Sequence, residues 1–153
     1  MDKASLVNPD IAAGNHLLSA LERAGLAISI AAWLKLRDTG EWNLFIASPD
    51  VQTHGPTTVN KFIDRVRTAI ESELSMDEIT AVNTTNHFVN GVSPLSFASS
   101  IHSKGGVHRL GSRPLGEADI EDGFVYKVER NVKASREAPR ANAEALKKAK
   151  LAA

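Results

Sequence analysis

Leu26-Ala27-Ile28-Ser29-Ile30-Ala31-Ala32-Trp33-Leu34-Lys35-Leu36-Arg37-Asp38-Thr39-Gly40-Glu41-Trp42-Asn43-Leu44-Phe45-Ile46-Ala47-Ser48 is the stretch that decides the fold. Leu26, Ile28, Ile30, Leu34 and Leu36 alternate with Ala27, Ser29, Ala31, Lys35 and Arg37, the period of a strand. Asp38 to Glu41 breaks the run with turn-forming residues. A second alternation then sets Trp42, Leu44 and Ile46 against Asn43, Phe45 and Ala47. Two such runs four residues apart predict an antiparallel hairpin. It is the most apolar part of the chain and is therefore expected to carry the sheet. The helices are expected on the face lined by Leu26, Ile28, Ile30, Leu34, Leu44 and Ile46. Trp33 and Phe45, with Ala27 and Ala31, then fall on the other face as a small apolar patch suited to a partner or a second copy.

Outward from the hairpin, Asn8-Pro9-Asp10 is a cap, a proline suited to the first helical position and an acid at the positive end of the dipole. It predicts a helix from Pro9 to Ala24, stopped by Gly25. After Ser48-Pro49-Asp50, a loop through Gly55-Pro56 precedes an amphipathic helix from Thr57 or Thr58 to Leu74. Val59, Phe62, Ile63, Val66 and Ile70 mark its buried face. Its other face, with Lys61, Asp64, Arg65, Arg67, Glu71 and Glu73, reads as a solvated surface of mixed sign. Ile79–Val82, Val107–Leu110 and Ile120–Val128 are the remaining strands, and Ser93–His102 is a short helix. The order α-β-β-α-β-α-β-β predicts an α+β two-layer sandwich, with helices on one face of a mainly antiparallel sheet.

Size and composition fit one domain over residues 1–130 followed by a distinct tail. The 153 residues are enough to bury roughly two-thirds of the unfolded chain's surface. No cysteine is present, which removes disulfides, thiol chemistry and cysteine-bound zinc. No apolar run approaches the ~20 residues of a membrane span, and the first residues lack the pattern of a secretory leader. A cytoplasmic location away from membranes is expected. The net charge of zero hides an asymmetry. Residues 131–153 hold six cations (Lys133, Arg136, Arg140, Lys147, Lys148 and Lys150) against Glu137 and Glu144, a net +4; the rest of the chain carries −4. This Ala-rich tail, flexible or helical and with little to bury, is expected to lie off the domain and to contact nucleic acid or an acidic protein face.

The chemistry-bearing residues do not form a known catalytic motif. The five histidines show no i,i+4 pair and no HExxH unit, so no metal or cofactor is expected. No Gly-x-Ser-x-Gly elbow accompanies the serines around His102. The segment 102–114 concentrates Lys104, His108, Arg109 and Arg113 among glycines and hydroxyls; it suits a partner or a phosphate, though a solvated connection between strands is the simpler account. Glu117, Asp119, Glu121 and Asp122 read as a charged approach that protects a strand edge.

Several islands also occur together: Ala20-Leu21-Glu22-Arg23-Ala24-Gly25-Leu26, Ala31-Ala32-Trp33-Leu34, Ile46-Ala47-Ser48-Pro49, Gly55-Pro56 and Ile120-Glu121-Asp122. In these the chain resembles, over residues 17–128, a group of small uncharacterised bacterial proteins. The resemblance implies a bacterial origin and a shared fold, and supplies no catalytic residue. The sequence therefore predicts a non-catalytic binding or accessory module for a protein partner, or for a second copy of itself, with nucleic-acid contact through the tail. The alternative is a small metal-dependent phosphoesterase or nuclease using Asp50, His87, His108, Arg109 and Asp122.

Overall fold

A computed structural model describes residues 8–85, 108–109, 113–115, 118–129 and 132–151. Helix α1 (Asn8–Ala24) starts at the predicted cap and ends at Gly25. There the backbone turns to φ 114°, and Leu26 N–H reaches back to the Leu21 carbonyl at 3.0 Å. Strands β1 (Ile30–Leu36) and β2 (Trp42–Ala47) form the hairpin, paired from Ile30↔Ala47 to Lys35↔Trp42. Gly40, at φ 68°, makes the turn.

Ser48-Pro49-Asp50 does not open a loop. It starts a short helix, α2 (Pro49–His54), because the Ser48 hydroxyl accepts the Asp50 N–H at 3.1 Å. This is the same cap-proline-acid signal that starts α1. Helix α3 (Pro56–Ala69) follows directly and stops five residues short of Leu74, where Glu71 takes a φ of 55°. A 3₁₀ turn (Met76–Glu78) leads into β3 (Ile79–Val82), which runs parallel to β2. The long 48–78 connection makes that parallel crossover feasible.

Beyond it lie β4 (His108–Arg109), β5 (Arg113–Leu115), the long β6 (Ala118–Val128) and a last helix, α4 (Ala143–Leu151). The sheet order is β3-β2-β1-β6-β4, with β5 also paired to β6; every pairing except β2–β3 is antiparallel. The protein is α+β. The expected helix Ser93–His102 lies outside the described residues.

The two sheet faces are assigned differently from expectation. One cluster joins Ala31, Trp33, Leu44, Ile46, Ile79 and Tyr126 to the helices, through Leu17 and Leu21 of α1, Phe62 and Ile63 of α3 and Ala149 of α4. The opposite face carries Ile30, Ala32, Leu34, Phe45, Ala47, Ile120, Val125 and Val128. The face expected to meet the helices is thus split between two cores. Register is the physical reason: paired positions on β1 and β2 sum to 77, so an even residue on one strand shares its face with an odd residue on the other. Leu44 sits opposite Trp33, not with Leu34. Leu26 and Ile28 join the helix side, ahead of the strand's first residue.

A register shift between β1 and β6 completes the first core. Ala31 pairs with Lys127 and Ala32 with Val125, which leaves Tyr126 as the extra residue of a bulge and turns it toward α1. The Trp33 Nε1–H donates to the Tyr126 hydroxyl at 2.9 Å, and that hydroxyl donates to the Ile11 carbonyl at 2.6 Å. Gly14 permits this approach: a Cβ there would lie 2.9 Å from Trp33 Nε1 and 3.0 Å from Tyr126 Cζ, nearer still to the hydroxyl oxygen.

Burial holds the Tyr126 phenol well above its ordinary range; the Trp33 N–H opposes that shift, and the nearby Asp10 adds to it. The unfolded chain releases this proton near pH 10, before the folded state does. Stability contributed by the phenol is therefore intact below about pH 10 and declines as pH rises above it. Tyr126→Phe is expected to cost about 1–3 kcal/mol at pH 7, because a buried indole N–H loses its acceptor. It should also lose stability less steeply than the parent above about pH 10. Urea midpoints for the two proteins across that range check both statements; parallel alkaline limbs would exclude Tyr126 as the titrating group.

Candidate functional site

The tail is held against the body by a buried carboxylate. Asp50, in the first turn of α2, is fully buried. Its Oδ2 accepts the Ala27 N–H at 3.0 Å and its Oδ1 the Ser135 N–H at 2.7 Å. The Ser135 hydroxyl lies 3.0 Å from Asp50 Oδ2 and 2.9 Å from the Gly25 carbonyl. His54, one turn later on α2, places Nε2 at 2.8 Å from the Ser135 carbonyl and 3.8 Å from Asp50 Oδ1. This clasp joins the end of α1, the start of α2 and the tail, segments 85 residues apart in the Asp50–Ser135 bonds.

Serine, histidine and aspartate together invite comparison with a nucleophilic triad, but the roles do not match. A triad histidine accepts the serine proton on a free ring nitrogen. Here Nε2 faces the backbone carbonyl of Ser135, an acceptor, so that nitrogen must carry the proton itself. The Ser135 hydroxyl is turned to the Asp50 carboxylate and the Gly25 carbonyl rather than to the His54 ring. The arrangement is a tie.

Once tied, the tail packs. Asn142 Oδ1 caps α4 by accepting the Ala145 N–H at 2.8 Å, and Ala145 and Ala149, four residues apart, are buried. Small side chains let α4 sit close to α1 and α3. The residues expected to lie off the domain are part of its helical layer. Lys133, Arg136, Arg140, Lys147, Lys148 and Lys150 remain exposed, with Lys148 paired to Glu144 at 3.3 Å.

The other predicted partner residues are placed differently. Trp33 is completely buried in the helix-side core, and Phe45 is buried in the opposite one, so they share no surface patch. His108 and Arg109 form β4 and Arg113 begins β5, both paired to β6. Lys104 and His87 lie outside the described residues. Of the nuclease-like set, Asp122 lies across from Lys35 and its carboxylate accepts the Gly123 N–H at 2.9 Å, whereas Asp50 bonds to Ala27, before the first residue of β1. Ile30 and Lys35 are five residues apart, so the two carboxylates stand at opposite ends of β1, separated by roughly 17 Å of strand. Lys127 is engaged by Glu22 and by Glu129 at 3.0 Å. Burial alone would lower its pKa, but these partners outweigh it and raise it. Glu121 pairs with Lys35 at 3.2 Å.

What the sequence reading missed is a groove of about 340 Å³ between α3 and the tail, lined by Thr58, Lys61, Phe62 and Arg65 on one side and Pro139, Arg140, Ala141 and Asn142 on the other. Its three charged residues are all cations. Across Pro139 and Arg140 lies a second groove of about 290 Å³, where Arg23 and Lys148 alternate with Glu137 and Glu144. Along α3 the signs looked mixed, but Asp64 is taken up by Arg67 at 2.6 Å, three residues on, and neither lines the groove. That i,i+3 spacing was the available signal. No protein-family model matches the chain, and no curated protein or solved structure matches it. Among the described residues no cluster of three or more His, Asp or Glu is placed to hold a metal ion, and no helix is long and apolar enough to cross a membrane.

Proposed function

We propose that this chain is a non-catalytic binding module whose partner is nucleic acid, engaged through the basic surface of the docked tail. The observation that carries the reading is the rigid mounting of that surface. Lys147, Lys148 and Lys150 project from a helix packed on α1 and α3, and Arg140 lies beside Lys61 and Arg65 of α3. Cations fixed on a folded surface lose less conformational freedom on binding than the same cations on a loose segment. They release counterions from a polyanion, so binding should weaken steeply with salt.

The expected result is salt-sensitive binding of mixed-sequence duplex DNA by the full chain, read by fluorescence anisotropy at several salt concentrations. Replacing Lys147, Lys148 and Lys150 together by Ala should weaken binding and reduce the slope of log K against log salt by about 2–3, close to one for each phosphate no longer neutralised. Absence of binding at low salt by the unmodified chain, with DNA and with RNA, would overturn the reading.

A further inference from the structure

We propose that the groove between α3 and the tail is a phosphate site, in which Lys61 and Arg65 from α3 and Arg140 from the tail hold one phosphoryl group between them. The proposal rests on the nucleic-acid reading only for the source of that phosphate. Thr58, Lys61, Phe62 and Arg65 stand at i, i+3, i+4 and i+7, so they share one face of α3. Arg140 is brought to that face by a segment 75 residues later in the chain, once Asp50 has fixed Ser135. The three cations have no ion-pair partner among the described residues. Arg140 also lines the second groove, but the groove on the α3 side has no acid in its lining, so an anion there meets positive charge alone.

The surroundings favour the same ligand. Phe62, Pro139 and Ala141 give the groove an apolar floor, which limits solvent screening and strengthens the field above it. Thr58 contributes a hydroxyl donor, and Asn142 keeps its amide N–H₂ free of the helix cap, which uses only Oδ1. Two guanidinium groups offer the planar, paired donors that match phosphate oxygens. A volume of about 340 Å³ admits a phosphate with part of the group that carries it. The neighbouring groove lacks this selectivity, because Glu137 and Glu144 lie among its cations. One wall belongs to the tail, so the site is complete only while the Asp50 clasp is closed. Phosphate binding and tail docking must then stabilise each other.

The test uses the full chain and two probes, inorganic pyrophosphate and mixed-sequence duplex DNA. Pyrophosphate in millimolar excess is expected to raise the thermal midpoint of the unmodified protein. Lys61→Ala with Arg65→Ala, or Arg140→Ala alone, should abolish that rise, whereas Lys147→Ala with Lys150→Ala should leave it intact. These side chains are exposed, so the ligand-free midpoints serve as the folding control. With DNA, the Lys61/Arg65 double variant should lower the salt slope by about 2. Protection by pyrophosphate without DNA binding would keep the groove and remove nucleic acid as the source of its phosphate. DNA binding that the groove variants retain and the Lys147/Lys150 variant loses would remove nucleic acid as the source of the groove's phosphate and leave the nucleic-acid reading standing. Equal pyrophosphate protection in the groove variants, or no response of the unmodified chain to pyrophosphate, would overturn the site.

Discussion

Trp33→Ala is expected to destabilise the protein by about 3–5 kcal/mol, the cost of removing a large aromatic side chain from a packed core. Trp33 is fully buried; it lies across from Leu44 on one side and Phe124 on the other. Truncation opens a cavity under α1 and also removes the N–H that the Tyr126 hydroxyl accepts. Trp33→Phe separates the two losses. It restores much of the volume and leaves Tyr126 donating to Ile11, so it should recover more than half of the destabilisation. Urea unfolding of the three proteins measures this directly. A loss below about 1 kcal/mol for Trp33→Ala, the usual scale of a surface substitution, would return Trp33 to the surface and to the role of a partner contact.

That prediction reverses a reading of the sequence, for a reason internal to the sheet. Alternation located both strands of the hairpin and the bounds of β2, because two-residue periodicity survives wherever successive side chains meet different surroundings. It does not say which face is which when both are buried, as they are here on β1. The choice then depends on register, and register depends on one residue of turn length. Pairing Leu36 N–H with the Glu41 carbonyl puts Trp33 beside Leu44; a turn one residue longer would have put Leu34 there. Helices were more legible. Asn8-Pro9-Asp10 and Gly25 bounded α1; Ser48-Pro49-Asp50 carried the same start signal for α2 but was read as the opening of a loop.

The candidate site was less legible, because its parts are ordinary when read singly. The helix predicted to reach Leu74 holds three acids and three bases, Lys61 and Arg65 among them, and only the three-residue spacing of Asp64 and Arg67 hints that the charges sort themselves. The tail looked too poor in large apolar residues to pack. Ala145 and Ala149 pack for that very reason, since small side chains allow α4 a close approach. Nothing local marks Ser135 as a partner of Asp50, and a contact across 85 residues leaves no periodic trace.

Asp50→Asn is expected to cost about 2–4 kcal/mol and to free the tail. Each carboxylate oxygen accepts a backbone N–H, Oδ2 from Ala27 and Oδ1 from Ser135. An asparagine is the same size but must point its N–H₂ at one of these donors, so one buried N–H loses its acceptor and faces another donor instead. Turning the amide over exchanges which of the two is lost. Asp50→Ala leaves both unsatisfied and should cost more, although it removes the buried charge. If the carboxylate is what seats the tail, brief proteolysis of Asp50→Asn should cut within residues 132–142 well before the body is degraded, while the parent resists. The rise in thermal midpoint expected from pyrophosphate should disappear along with tail protection, since Arg140 would no longer face Lys61 and Arg65. Lower stability with no early cleavage in the tail would mean that α4 packing alone holds it, and that the Asp50 carboxylate serves only the α1–β1 connection through its bond to Ala27.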